Sequence, residues 1–300
     1  MANVAIIGFG NIGQALKKII RKEVNVFVWD KDFSKIPLSL RKNLEEIIPQ
    51  ADFVFLCVPS WSIREALLNI KPYLKKKVFI ISLAKGIEKK TSKTCFEILE
   101  ELAPFSNYGI LSGPMIAKEL KQKKKGAAVI ASKNKAVFKK VKEVLSLSDI
   151  NLEYSSDVKG VALAGVLKNI YSLAFGISDG LKWGSNLKGW LLTQVILEME
   201  MIVRWLGGES KTVFGIAGLG DLVATSFSSF SNHRRTGEIF VKTGKINSKI
   251  EGVISLSVLL ILLKKRINSL PLLKLLGDVF LKNKNLKKVF DNFLLKNFKK

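Results

Sequence analysis

The sequence predicts a protein of the α/β class, in which a doubly wound sheet is followed by an all-helical part. Two patterns indicate this order: short apolar stretches alternate with amphipathic helical patterns over the first half, and only helical patterns occur after Ser156-Asp157. In addition, 300 residues with 48% hydrophobic content can bury the cores of two domains. We therefore expect domains at residues 1–155 and 156–300.

A glycine-rich segment follows the first apolar stretch. Residues 4–7 predict a buried parallel strand, and Gly8, Gly10 and Gly13 then open a helical pattern. In this context Gly8 permits a tight turn, Gly10 lets a pyrophosphate approach the backbone, and Gly13 lets the helix pack on the strand. The segment predicts a dinucleotide site of the Rossmann type. The alternative is a glycine-rich connection without a ligand.

The second apolar stretch, residues 24–29, ends at Asp30, where a ribose-binding carboxylate is expected. Asp30 favours NAD, because a carboxylate accepts a hydrogen bond from a ribose 2′-hydroxyl and repels a 2′-phosphate. Lys31 favours NADP. We expect NAD, because the carboxylate lies directly at the end of the strand.

The remaining elements of the first domain alternate in the same way, after a polar helical stretch that follows Asp30. In an open parallel sheet, ligands collect beyond the carboxyl ends of the strands, so Pro59 is expected near the cofactor and Lys85 is expected to point toward the same crevice. Strands are predicted at residues 53–58, 77–83, before 112–114, at 127–131 and near 152, and helices at 91–102 and 136–145.

Two isolated charges stand out in the helical part. Lys168 is the only charge in residues 160–177, an apolar stretch that predicts a buried helix, and glycine at position 165 leaves space beside its ammonium group. Burial is costly unless the lysine pKa falls or a carboxylate pairs with it; otherwise Lys168 reaches out to water. Asp221 is the only charge between residues 213 and 231, so it needs a cation such as Lys85 or Lys168, or else serves as a helix N-cap.

The composition restricts the remaining classes of function. The net charge is +24, but the lysines form short scattered runs, which indicates a solvated surface that attracts phosphorylated small molecules and not a nucleic-acid site. Two cysteines without metal-ligand spacing and a single histidine argue against a metal site. Neither a signal peptide nor an apolar run long enough to span a membrane is expected, so we predict a cytoplasmic protein. A homodimer is compatible with the sequence.

Taken together, these motifs resemble those of the NAD(P)-dependent glycerol-3-phosphate dehydrogenases over about residues 4–252. The resemblance implies a Rossmann domain, an all-helical domain, and the reduction of dihydroxyacetone phosphate to sn-glycerol 3-phosphate for phospholipid synthesis. The matching motifs are Gly8-x-Gly10-x-x-Gly13, Val58-Pro59-Ser60, Lys85-Gly86, Ser112-Gly113-Pro114, Leu167-Lys168-Asn169 and Gly218-Leu219-Gly220-Asp221.

The resemblance also implies residue roles. Lys168 corresponds to the proton donor, Lys85, Gly113 and Asp221 correspond to substrate-site residues, and Asn169 is placed to hydrogen-bond a substrate hydroxyl. Positions that correspond to cofactor contacts are Asn11, Ile12, Lys31, Ala117 and Glu251.

Two departures from the family pattern affect the substrate side. Met115 follows Gly113-Pro114 where the family commonly has serine, and the family's Ser-Arg-Asn-Arg phosphate loop is Ser231-Asn232-His233-Arg234. Asn232 thus replaces an arginine, and Arg234, Arg235 or a neighbouring lysine is expected to bind the phosphate instead. We expect a bound substrate phosphate to raise the pKa of His233, so that KM for dihydroxyacetone phosphate increases as His233 titrates between about pH 6 and 8; the alternative is that His233 faces solvent while Arg234 alone holds the phosphate.

Three other functions remain open from the sequence. The first is another Rossmann dehydrogenase with a catalytic lysine, of the ketopantoate reductase type. The second is a cofactor-binding homologue that has lost catalysis, which Met115, Asn232 and His233 would favour. The third is a nucleic-acid-binding protein, for which the net charge is the sole indication.

Overall fold

The structure is a computed structural model that describes residues 2–105, 107–145 and 150–298. In these ranges the chain forms a seven-stranded sheet with the order β2-β1-β3-β4-β5-β6-β7. Strands β1 to β5 are parallel, β6 is antiparallel to β5, and β7 is parallel to β6. The strands are β1 Asn3–Ile7, β2 Asn25–Trp29, β3 Phe53–Leu56, β4 Phe79–Ser82, β5 Asn107–Ser112, β6 Gly126–Ala131 and β7 Ile150–Ser155.

Helices cover both faces of this sheet. The predicted helix at residues 91–102 begins later, because Thr94 caps it by accepting a hydrogen bond from the Glu97 N–H. The polar helical stretch expected after Asp30 is instead a series of short turns and one four-residue helix, since Pro37 and Pro49 interrupt it. The helices of this half are α1 Asn11–Ile19, α2 Leu44–Ile47, α3 Ile63–Ile70, α4 Cys95–Leu102, α5 Ala117–Lys121 and α6 Lys135–Leu145.

From Val158 onward the described chain is helical, as the sequence predicts, and the predicted fold class is confirmed. The predicted boundary at 155/156 falls between β7 and the first of these helices, and the first turns of that helix pack into the core on one face of the sheet. The helices are α7 Val158–Gly180, α8 Ser185–Trp205, α9 Ser210–Phe214, α10 Asp221–Phe227, α11 Asn232–Thr243, α12 Glu251–Leu262, α13 Pro271–Phe280 and α14 Leu286–Phe298.

Helix α7 is the centre of the helical part. Asp157 caps its first turn by accepting from the Gly160 N–H at 2.9 Å, and 20 of its 23 residues are buried. By length and composition α7 could cross a bilayer, but its apolar window is entirely buried inside the protein, as in the core helix of a globular domain. The expected all-round burial of this helix is therefore confirmed.

Two glycines let α7 and α11 approach backbone to backbone. A Cβ at Gly176 would lie 1.8 Å from the carbonyl oxygen of Arg234, and a Cβ at Gly237 would lie 2.1 Å from the carbonyl oxygen of Leu173. No side chain fits at either position without moving a helix. This contact fixes the start of α11 relative to α7, which carries Lys168.

We expect Gly237→Ala to lower the free energy of unfolding by about 1–3 kcal/mol, because the added methyl group must push α11 away from α7. Urea denaturation measures the change. Gly189→Ala is the matched control: Gly189 lies within α8 with no atom within 4 Å of its Cβ position, so alanine there should stabilise the protein slightly. Equal effects of the two substitutions would contradict the close helix contact.

Candidate active site

A cleft of about 950 Å³ opens beyond the carboxyl ends of β1 and β3, where the strand order changes direction, and its opposite wall is helical. Its volume lies at the upper end of the range for small-molecule and cofactor sites. Sequence-predicted site residues that line it are Gly8, Gly10, Asn11, Ile12, Asp30, Lys31, Pro59, Lys85, Gly113, Met115, Ala117, Lys168, Asn169, Asp221, Ser231, Asn232, His233 and Glu251.

The glycine-rich turn at one end of the cleft has the geometry that a pyrophosphate site needs. Gly8 has φ +96°, and a Cβ there would lie 2.8 Å from the Cys57 carbonyl group. Gly13 does not line the cleft; it packs against the turn, where a Cβ would meet the Gly8 oxygen at 2.1 Å. Nothing lies within 4 Å of the Cβ position of Gly10, and no side chain caps the N–H groups that begin α1. These residues fit a bound dinucleotide.

Asp30 connects this turn to the end of β2. Its carboxylate is buried and accepts hydrogen bonds from the Phe9 N–H at 2.8 Å and the Asp32 N–H at 2.9 Å. Lys35 also contacts it, with 3.2 Å between Nζ and Oδ1. The carboxylate therefore holds the shape of the turn and is partly neutralised, in addition to lining the cleft.

The centre of the cleft is a charged trio in which two lysines share one carboxylate. Asp221 begins α10 and is 2% exposed; its Oδ2 lies 2.5 Å from Lys85 Nζ and its Oδ1 lies 3.2 Å from Lys168 Nζ. Lys85 follows β4 and Lys168 lies in the middle of α7, so the trio joins three distant parts of the chain. Both cationic partners predicted for Asp221 are confirmed.

Burial and charge shift two pKa values in the trio in ways that matter for proton transfer. Burial, with repulsion from Lys85, lowers the pKa of Lys168 to about 8 despite the attraction of Asp221. Burial alone would raise the pKa of Asp221, but the two ammonium groups outweigh it and lower that pKa. Lys168 is therefore protonated near neutral pH and can release its proton readily, while Asp221 stays ionised.

Neighbouring groups orient the two lysines. Lys168 Nζ donates to Thr225 Oγ1 at 2.8 Å, and Lys85 Nζ donates to the Gly113 carbonyl oxygen at 3.2 Å. Asn169 Nδ2 donates to the carbonyl oxygen of Lys85 at 3.1 Å. The space at Gly165, expected beside the Lys168 ammonium group, is instead occupied by the aliphatic part of Lys85.

The start of α11 supplies one wall of the cleft, but not with a charged histidine. Ser231 is the N-cap of α11 and accepts from the Arg234 N–H at 3.2 Å. His233 Nε2 accepts from the Gly252 N–H at 3.3 Å. Burial, reinforced by the charges of Lys168 and Lys85, lowers the pKa of His233 to about 3. The expected titration of His233 between pH 6 and 8 is therefore wrong for this structure, and so is the solvent-facing alternative.

The sequence prediction for Arg234 is also wrong. Its guanidinium group is bound to Asp179 at 2.5 Å and does not line the cleft. Arg235 does, because Asn232, Arg235 and Ile239 lie three and four positions apart on one face of α11 while position 234 faces α7. The helical phase of α11 decides which of the two arginines faces the cleft. The sequence analysis did not predict where α11 begins, so this phase was unknown.

Glu251 joins the helical wall to the sheet. It begins α12 and accepts a hydrogen bond from the Ser60 N–H, in the loop after β3, at 2.8 Å. Burial raises the pKa of Glu251, although the hydrogen bonds from Ser60 oppose this shift. The side chain thus holds the loop that contains Pro59 against α12, at the edge of the cleft.

Several cleft residues were not predicted from the sequence. Thr225 lies one turn after Asp221 on α10, so a donor or acceptor at the fourth position after the aspartate was a signal that could have identified it. Lys35 and Lys249 gave no such signal, because they lie in irregular segments. Within the described ranges, no group of three or more histidine, cysteine or acidic side chains could hold a metal ion.

Comparisons with known proteins agree with this geometry. Models of the NAD-dependent glycerol-3-phosphate dehydrogenase N-terminus and C-terminus match residues 34–138 and 157–291. A glycerol-3-phosphate dehydrogenase (NAD(P)+) from Fusobacterium nucleatum is 30% identical over 330 aligned residues, covering 100% of this chain and 98% of that protein.

Solved structures give the same result. The crystal structure of a glycerol-3-phosphate dehydrogenase from Coxiella burnetii has a TM-score of 0.88 and 27% identity, with 98% of each chain covered. A ketopantoate reductase family protein from Ralstonia eutropha reaches a TM-score of 0.57 at 16% identity, covering 97% of this chain and 99% of that one. The second likeness shows the fold alone.

We expect Asp221→Asn to lower the free energy of unfolding by about 3–5 kcal/mol at pH 6, because two ammonium groups lose their shared counter-charge. The loss should shrink as the pH rises toward 8, since Lys168 then releases the proton that the carboxylate no longer balances. Chemical denaturation at several pH values measures this. Asp291→Asn, at an exposed position in α14, is the control and should stay within about 0.5 kcal/mol. A pH-independent loss would contradict the shared-carboxylate arrangement.

Proposed function

Because the chain belongs to the NAD-dependent glycerol-3-phosphate dehydrogenase family, we propose that it reduces dihydroxyacetone phosphate to sn-glycerol 3-phosphate with Lys168 as the proton donor. The protein is an oxidoreductase that uses NAD or NADP. The observation that carries the assignment is that the trio of Lys85, Lys168 and Asp221 lies in the same cleft as the glycine-rich turn.

The chemistry divides between the cofactor and the protein. When bound, the nicotinamide supplies the hydride for the carbonyl carbon. Lys168 donates its proton to the carbonyl oxygen as negative charge develops there, and repulsion from Lys85 together with burial favours that donation. Asp221 and Thr225 hold the Lys168 ammonium group in place, so proton donation does not require the side chain to reorient.

Charge in the cleft supports a phosphorylated substrate. Six cationic and four carboxylate side chains line it, and the protonated trio has a net positive charge. Lys85 and Asn169 are positioned by Asp221 and by backbone contacts to bind the carbonyl and hydroxyl oxygens of the substrate. Met115 lines the same region without a hydroxyl group, so it contributes packing only.

The cofactor preference is a finer proposal. We keep NAD as the expected cofactor because Asp30 lies at the end of β2 and would repel a 2′-phosphate. Lys31 and Lys35 line the same end of the cleft and favour the opposite choice, since Lys35 pairs with Asp30. Catalytic efficiency with NADPH above that with NADH would reverse the assignment.

The cellular setting is also proposed. A glycerol-3-phosphate product would feed phospholipid synthesis, and we propose a cytoplasmic enzyme, with a homodimer as the assembly to test by sedimentation. A filter-binding assay with DNA at two salt concentrations tests the nucleic-acid alternative, which predicts tight and steeply salt-dependent binding.

One assay tests the proposed function against its rivals. Oxidation of NADH should be fast with dihydroxyacetone phosphate, and slow with unphosphorylated dihydroxyacetone and with ketopantoate. Single-turnover measurements at high protein concentration separate a weakened enzyme from one that has lost catalysis. Preference for ketopantoate, or no oxidation in a single turnover, would overturn the assignment.

Replacing Lys168 by alanine removes the proton donor and leaves the glycine-rich turn untouched. We expect kcat to fall by about 10²-fold or more with a nearly unchanged dissociation constant for NADH. Steady-state kinetics and NADH fluorescence titration measure the two quantities. Turnover close to that of the wild-type protein would exclude Lys168 as the donor.

The lowered pKa of Lys168, about 8, predicts opposite pH profiles for the two directions of reaction. Reduction needs the ammonium form, so kcat/KM should fall about tenfold per unit above pH 8. Oxidation of glycerol 3-phosphate needs the neutral amine, so kcat/KM should rise up to pH 8 and then level off. Profiles that run in the same direction would contradict this role.

A further inference from the structure

Two cationic side chains on the helical wall of the cleft take no part in the chemistry described above. Arg235 lies in the first turns of α11, and Lys249 lies in the connection before α12; both are exposed and both line the cleft. Among the residues that the structure describes, neither side chain has an ion-pair or hydrogen-bond partner. Their charge is therefore free to bind an anion.

The other cations of the cleft are already engaged or lie elsewhere. Lys85 and Lys168 share Asp221, and Lys35 pairs with Asp30. Lys31 follows β2, whose end adjoins the glycine-rich turn through the hydrogen bond from the Gly8 N–H to the Trp29 carbonyl oxygen. Apart from Lys31, the unpaired positive charge that lines the cleft, in the part of the chain that the structure describes, thus lies on α11 and the connection to α12.

These two segments meet at a tight contact beside the catalytic centre. His233 Nε2 accepts from the Gly252 N–H at 3.3 Å. A Cβ at Gly252 would lie 2.9 Å from His233 Cδ2 and 2.6 Å from the carbonyl oxygen of Asn169, the residue after Lys168. The starts of α11 and α12 therefore adjoin each other and the part of α7 that carries the proton donor.

Helical phase directs Arg235 toward this region. Asn232, Arg235, Thr236 and Ile239 line the cleft at spacings of three and four, whereas Arg234 is held by Asp179 on the other side of α11. One turn before Arg235, the cleft-facing residue is the neutral Asn232. The cleft-facing side of α11 therefore has no cation at its first turn and has one, Arg235, a turn later.

We propose that Arg235 and Lys249 form an anion subsite that holds the phosphate group of the substrate. A guanidinium group can bind two phosphate oxygens at once, and an ammonium group adds a mobile point charge. Glu251, two residues from Lys249, points to the Ser60 N–H and, among the described residues, forms no ion pair with Arg235 or Lys249. His233 contributes position and no charge. The inference rests on the proposed function, because it assumes a phosphorylated substrate in this cleft.

The test compares Arg235→Gln, Lys249→Gln and the double variant with matched controls. Each single variant should raise KM for dihydroxyacetone phosphate about 10-fold or more with a much smaller change in kcat, since a charge-assisted hydrogen bond is lost. The preference for dihydroxyacetone phosphate over dihydroxyacetone, as a ratio of kcat/KM values, should fall by the same factor. Lys242→Gln on the far part of α11 and Lys245→Gln in the same connection should leave both quantities unchanged; neither residue lines the cleft.

A gain-of-function variant distinguishes loss of the anion subsite from misfolding of the variant protein. Asn232→Arg in the Arg235→Gln background places a guanidinium group one turn away on the same face of α11, and should lower KM for dihydroxyacetone phosphate again. An unchanged KM in both single variants would overturn the subsite. A rise in KM for NADH in place of the rise for dihydroxyacetone phosphate would assign the pair to the cofactor's phosphates, and would also overturn it.

Titration with inorganic phosphate reads the subsite without turnover. The wild-type protein should bind phosphate about 10-fold more tightly than either variant, measured by calorimetry at low ionic strength. If the wild-type protein does not oxidise NADH with dihydroxyacetone phosphate, the proposed function fails, and this titration still decides whether the subsite exists. Equal phosphate binding by wild-type and double-variant protein would refute the subsite even in an active enzyme.

Discussion

The arrangement on which the rest of the structure depends is one buried carboxylate shared by two lysines. Asp221 can be ionised at 2% exposure because two ammonium groups lie within 3.2 Å of its oxygens. Lys168 in turn tolerates the apolar interior of α7 because the carboxylate is present. Two cations face one anion, so the trio keeps a net positive charge that attracts anions. Burial, with repulsion from Lys85, lowers the pKa of Lys168.

Close helix packing places the wall of the cleft beside these charges. Gly176 and Gly237 bring α11 against α7, and Gly252 brings α12 against His233 and the backbone of α7. Each glycine removes a side chain where backbone atoms must nearly touch. The part of α7 that carries Lys168 is therefore flanked by the starts of α11 and α12, whose places are set by contacts too close for any other residue.

The fold class and the trio of Lys85, Lys168 and Asp221 were predictable because they depend on signals local to the sequence. Lys168 and Asp221 are isolated charges in apolar stretches, and such charges need partners wherever the fold places them. The spacing of the glycine-rich turn specifies its backbone geometry. Lys35, Lys249 and the choice between Arg234 and Arg235 were not predictable. They depend on the phase of α11 and on the course of irregular segments, which tertiary contacts decide. The prediction for His233 was wrong for a related reason. A sequence gives the residue type, but the burial that lowers the pKa of His233 arises only when α11 and α12 pack together.

The hydrogen bond from the Ser60 N–H to Glu251 and the ion pair between Lys85 and Asp221 both cross from the sheet to the helices. Opening the two halves like a hinge would break both contacts and return the buried charges to water, which would hydrate them again. Any opening of the cleft that lets a ligand in or out must therefore either leave both contacts intact or break and re-form them.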